Sequence, residues 1–235
     1  MKKFLLLLWV ITLTLTFSEE IDFRGEDIKI LRKGKITEYR VKKGKIISSE
    51  NYTIDGTNID VYVNKDETFT LKTKDKVTYN NPKNNIKLVS KGLKYSSEDE
   101  KGLFQPPVTV YTNSGRVVSK YPVQLNGETV WSKEEFEYYG RDKSFGKGKD
   151  FSYSGDVLHI KSGFTYTDER VELSGKKCRY NTKKEVLDFY DSGTAVFKEG
   201  VLEFKRGTYK SKNEKMLAYG FKFSGEYNMK GETYT

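Results

Sequence analysis

The chain of 235 residues carries 42 lysines and arginines against 33 aspartates and glutamates, a formal charge of +9, with one cysteine and one histidine. A single cysteine excludes an internal disulfide and a single histidine excludes a zinc site of the two-His kind, so apolar burial and hydrogen-bonded ladders have to hold the fold. The basic excess points to phosphate or anionic lipid as a partner, or to no more than a lysine-rich solvated face.

In chain order, Lys2 and Lys3 precede an apolar run from Phe4 to Phe17 relieved only by threonine, and Ser18, Glu19 and Glu20 end it. As a helix that run spans roughly 21 Å, short of the roughly 30 Å hydrocarbon core. Residues 1–18 therefore fit one N-terminal helix that serves as a cleaved export signal, with Thr16 and Ser18 as small residues before the cut; an uncleaved inner-membrane anchor is the alternative. Either places the remainder outside the cytoplasm, where lipid or glycolipid is a better partner for a basic surface than nucleic acid. Residues 19–235 suffice for one large domain.

From Ile28 to Val41 two alternating runs flank Lys33 and Gly34, and a third follows Gly44. Tyr52 to Ile54, an Asp55-Gly56 turn, and a run with Ile59, Val61 and Val63 on one face come next; Phe69 and Leu71 extend the period. The stretch VTYNNPKNNIKLVSKG, from Val77 to Gly92, returns without a gap as CRYNTKKEVLDFYDSG from Cys178 to Gly193, so that Ile86 and Leu88 match Leu187 and Phe189. A shorter copy runs from Tyr209 through Met216 and Ala218 to Gly220. Each copy is a strand ending at Tyr, a polar turn, and a second alternating strand stopped by Gly: a β-hairpin. A lone hairpin is marginally stable, so its repetition implies a long sheet.

Lys94 to Pro107 mixes acids, Gly and two prolines, and is expected to be a long loop or edge crossing within the domain. Beyond it, Ser114-Gly115, Asn126-Gly127 and Gly155-Asp156 mark turns between alternating runs, and no segment reads as a convincing helix. Glu134 to Tyr139 fits strand alternation as well as a helical turn. Strands of five to six residues predict an all-β chain of roughly 16 to 20 strands.

Chemistry is scarce. Leu158 and Ile160 point away from His159, which reads as a solvated surface residue, and Cys178 reads as a small buried hydrophobe. The glycines between Gly140 and Gly148 match neither phosphate-binding pattern. Glu134 and Glu135 beside Trp131 are adjacent in sequence, whereas glycoside hydrolysis needs two carboxyls facing each other across a cleft. No catalytic residue, metal or cofactor is expected.

The stretches KDKVTYNNPKNNIKLVSKG, GKKCRYNTKKEVLDFYDSG and GTYKSKNEKMLAYG, and more loosely KGKITEYRVKKGKIISSE, resemble the OstA-like periplasmic domains of the lipopolysaccharide transport bridge over most of residues 26–225. The resemblance implies an elongated β-jellyroll open at both ends. It also implies a non-enzymatic periplasmic carrier that passes lipopolysaccharide or a similar glycolipid from an inner-membrane ABC transporter to an outer-membrane assembly protein. The apolar hairpin positions Ile86, Leu88, Leu187, Phe189, Met216 and Ala218 carry over; the loop at 94–107 has no counterpart.

Independently of the name, hiding acyl chains from water is worth about 0.8 kcal/mol per methylene, which requires an apolar wall. Candidate wall residues are Ile59, Val61, Phe69, Leu71, Ile86 and Leu88, then Leu158, Ile160, Leu187, Phe189, Phe221 and Phe223, with Met216 and Ala218 from the third hairpin. The same residues equally suit an ordinary packed core, as in a structural or adhesive envelope protein with no lipid path. Open ends invite strand addition, head to tail, from another copy or a neighbouring component.

Overall fold

The computed structural model describes residues 22–48, 52–225 and 229–234. The expected N-terminal helix, residues 1–18, lies outside them. Nineteen strands, paired antiparallel throughout, form one hydrogen-bonded sheet; a single 3-10 turn at Ser211–Asn213 is the one helical element among the described residues. Period-two alternation produces this directly. In β4 (Phe69–Thr73), Phe69, Leu71 and Thr73 are buried while Thr70 and Lys72 face solvent.

The sheet forks and rejoins. Long strands β1 (Asp22–Lys33), β2 (Ile36–Ile47) and β3 (Thr53–Val63) pair in order. β3 then pairs through Asp60–Val63 with β4 and through Thr53–Gly56 with β5 (Val77–Asn81). From that fork, one ladder continues through β4, β7 (Gly92–Ser96), β8 (Lys101–Gln105) and β11 (Val123–Asn126). The other continues through β5, β6 (Ile86–Ser90), β9 (Val108–Tyr111) and β10 (Gly115–Ser119). Both end on β12 (Thr129–Gly140), which takes β11 on Thr129–Trp131 and β10 on Glu137–Gly140.

From there β13 (Phe145–Ser154), β14 (Val157–Thr167), β15 (Glu172–Asn181), β16 (Val186–Phe197), β17 (Gly200–Lys210), β18 (Lys215–Gly225) and β19 (Met229–Tyr234) meander in sequence order. Each long strand crosses both ladders, hereafter the first wall (β4 side) and the second wall (β5 side).

A long strand passes between walls at a bend. Register shifts lie at Ser132/Glu135, Gly148/Lys149, Ile160/Phe164 and Phe189/Gly193, where runs such as Lys161–Gly163 are exposed. Extra residues in a ladder bend the strand. Gly163 sits at φ +58 with nothing near its Cβ position, the conformation a side chain disfavours. Asp55-Gly56, expected as a turn, lies instead inside β3, which bends two residues later at Asn58, φ 48.

Side chains from the two walls meet. Tyr79 on the second wall lies 6.2 Å from Tyr95 and 5.9 Å from Phe104 on the first; Tyr138 lies 5.4 Å from Tyr180 and Phe189 lies 5.7 Å from Phe204, measured between ring centroids. The aromatics are sorted by depth. Phe136, Phe151, Phe164, Phe189 and Phe204 flank the bends, whereas Tyr79, Tyr138, Tyr153, Tyr166, Tyr180 and Tyr209 sit one or two residues from strand tips. A phenol placed there buries its ring, and the Tyr138, Tyr180 and Tyr209 hydroxyls find polar partners near the tips.

Lys94–Pro107 is corrected to a hairpin. β7 and β8 occupy most of it, Ser97–Glu100 is the turn, and only Pro106-Pro107 lies between β8 and β9, where the chain changes walls. The acids fit the turn, and buried Gly102 continues the alternation without a side chain; an added Cβ would stand 3.1 Å from the Phe104 ring. The repeat is corrected as well. Tyr180 opposes Leu187 and Tyr209 opposes Met216, but Tyr79 opposes Leu88, because Asn81 and Ile86 add a rung to the first copy.

Candidate functional site

Among the described residues the buried apolar side chains form one cluster, in the interior between the walls. Of the fourteen candidate wall residues, Ile59, Val61, Phe69, Leu71, Ile86, Leu88, Leu158, Ile160, Leu187, Phe189, Met216 and Ala218 are buried, and Phe221 and Phe223 are partly buried against the same cluster. Ile86, Leu88, Phe221 and Phe223 belong to the second wall and the other ten to the first. The candidates thus fall mostly on one wall, and sequence reading missed the buried residues that face it: Val110, Tyr138, Phe164, Leu173, Ala195 and Phe204.

Where rings from opposite walls touch, the interior is packed. It opens at the β1 end. Phe23 pairs with Ile46, Ile28 with Val41 and Ile30 with Tyr39, so all three share the face of the buried core. Ile28 is nevertheless 36% exposed and Ile30 57%, because β1 has a neighbour on one side only among the described residues. Phe23 stacks on Tyr39 at 4.7 Å and partly covers the mouth. The alternation of Ile28 and Ile30 was legible, but a terminal strand cannot be told from a central one by period alone.

Opposite the bends, the strand tips close the remaining edge with polar contacts. Asp156, at the β13–β14 turn, accepts hydrogen bonds from the amides of Asn85 and Asn113; the latter is 2.7 Å long. The Tyr209 hydroxyl donates to Asp168 at 2.6 Å, and Arg170 pairs with Glu214. Burial pushes the Tyr138 phenol up to about 12, partly countered by hydrogen bonds with Ser114 and Tyr180. These phenols stay neutral and act as hydrogen-bonding edges of an apolar core.

Cys178 is buried opposite Phe189, and desolvation holds its thiol well above the ordinary range. His159 is exposed on the outer face, its imidazole shifted down by partial desolvation and then by Arg179 and Lys161. Among the described residues no group of acids, His and Cys has metal-binding spacing, and no helix is long and apolar enough to cross a membrane. No protein-family model matches the chain, and no curated protein matches it.

Proposed function

We infer that the protein is a non-enzymatic lipid-binding scaffold of the cell envelope, an open OstA-like β-jellyroll that passes lipopolysaccharide or a related glycolipid between the inner and outer membranes. The observation that carries this reading is the apolar interior running between two walls and emerging at the β1 end, where Ile28 and Ile30 face inward yet meet solvent. Each acyl methylene sheltered there is worth about 0.8 kcal/mol. Because rings bridge the walls farther in, chains enter at the mouth and advance only as the tip contacts of Asp156 and Asp168 part.

The edge of β1, twelve residues long and without a partner strand among the described residues, suits strand addition from a second copy, a transporter component or an outer-membrane assembly protein. An export signal or anchor at residues 1–18 puts this work in the periplasm.

The test is lipid mass spectrometry on the purified protein, with a photo-cross-linking residue at Ile30 and another at Leu31 on the opposite face. Co-purified glycolipid cross-linked from position 30 and not from 31 supports transport. A lipid-free protein that cross-links nothing when glycolipid is supplied overturns it. The second reading, a structural envelope protein without a lipid path, is favoured by the ring contacts that fill the middle of the interior.

A further inference from the structure

The outer face of the first wall carries a trough of about 730 Å3 that none of the foregoing uses. It runs across strands rather than along them. Cross-strand register places Lys72 opposite Lys94, Lys94 opposite Leu103, Leu103 opposite Gln124 and Gln124 opposite Trp131; Tyr62, opposite Thr70, closes the far end. From β3 to β12 this crosses five strand spacings, about 24 Å.

Two observations mark this face as more than a solvated one. Lysines directly opposite each other on adjacent strands repel, and Lys72 and Lys94 are so placed with Lys101 close by in the same trough. Lys72 is compensated by the Tyr62 ring, 5.0 Å away, and by Asp60 directly opposite it, and Lys101 by exposed Asp99; Lys94 makes no ion pair among the described residues. On the outer face of the second wall, by contrast, Lys87 lies over Tyr111, Arg116 over Tyr139 and Lys147 over Phe145, each at 5.3 to 5.4 Å. There the cations and rings satisfy one another. In the trough, half-buried Trp131 and Leu103 and the exposed Lys94 and Gln124 remain available to a ligand.

We propose that this trough binds an acidic glycan strand. Trp131 offers its half-buried indole to a sugar ring at one end, Lys94 and Lys101 take the carboxylate, phosphate or sulfate groups, and Gln124 exchanges hydrogen bonds with hydroxyls. An added peptide strand has no purchase, since β4, β7, β8 and β11 are hydrogen-bonded on both sides. A lipid headgroup is disfavoured because Leu71, Tyr95 and Leu125, inward on the same strands, are buried and leave no opening for acyl chains. The site stands apart from the interior and does not depend on lipid transport.

The test uses the full chain with Trp9→Phe, which leaves Trp131 as the only indole. Titration with dextran sulfate shifts Trp131 emission saturably, and neutral dextran binds at least about tenfold more weakly. By calorimetry, Lys94→Glu with Lys101→Glu, and separately Trp131→Ala, each weaken dextran sulfate binding about tenfold, with unchanged circular dichroism; the charge-matched pair Lys183→Glu with Lys184→Glu, in the β15–β16 turn, stays within about twofold. The proposal is overturned if the turn pair weakens binding as much as the trough pair, or if Trp131→Ala has no effect. It is equally overturned if polyglutamate or phosphatidylglycerol vesicles bind with the same dependence on Trp131.

Discussion

Between β4 and β11 every strand stays on one wall and the chain crosses over between strands; from β12 onward every strand spans both walls and the crossing happens within it. One cross-section is therefore reached by two routes. Crossing between strands tolerates proline, as at Pro106-Pro107 and Pro122, since the crossing residues carry no ladder. Crossing within a strand needs glycine or an inserted residue, as at Gly163 and Gly220, where φ is +58 and +57. The difference teaches that the walls are set by burial of a common core, and the connections follow whatever local geometry permits.

If burial dominates, cutting the core costs the same on either side of β12. Phe104→Ala in the short-strand half and Phe151→Ala in the long-strand half, both 0% exposed, are expected to lower stability by about 3–5 kcal/mol each in urea melts. Because β12 belongs to both ladders, calorimetry should show one transition, and two would break the comparison. Cys178 supplies a local readout: its buried thiol should resist a disulfide reagent in the native protein and react once the long-strand half opens.

Smaller effects separate the bends from the tips. Gly193→Ala places a Cβ 2.5 Å from the Phe204 ring and 2.7 Å from the Ser174 carbonyl, so about 1–3 kcal/mol is expected. Gly155→Ala, with open space but φ +51, should lose about 1 kcal/mol from backbone strain alone. Asp156→Asn tests the tip contacts; weakening two hydrogen bonds to Asn85 and Asn113 should cost about 0.5–1.5 kcal/mol. In the same melts, Ile30→Ala at the open end should change stability by under about 0.5 kcal/mol.

The smallest effect concerns His159. Its folded-state pKa lies below the ordinary 6.5, so above pH 6.5 the imidazole is neutral in both states and costs nothing. As pH falls from there through the folded value, the unfolded chain takes up the proton first and stability declines. His159→Gln should remove that slope, and an NMR titration should place the native pKa below 6.5.

Much of this was legible in the residues. Alternation located the strands, Asn126-Gly127 and Gly155-Asp156 mark real turns, and the buried candidates lie inside. The fork was not legible, because nothing in the pattern of β3 says that its two ends pair with different strands. Nor were the bends. Alternation slips by one between Leu173 and Cys178 and between Phe204 and Tyr209, and such a slip reads as noise until the bend shows that both sides face one core. Gly102 hid β8 for a related reason, since a buried position without a side chain leaves a gap in the apolar period.

Beyond β12 each strand is hydrogen-bonded, among the described residues, to the one before and the one after, while rings such as Tyr166 and Tyr209 reach across the walls to strands farther along. The backbone ladder then adds stability strand by strand, and the rings that reach across the walls tie each strand to ones a few places away. Such an architecture can gain or shed a hairpin without redesigning its profile, as the matching registers of Tyr180 with Leu187 and Tyr209 with Met216 illustrate. Span becomes a quantity that duplication or deletion adjusts in increments, while width stays constant.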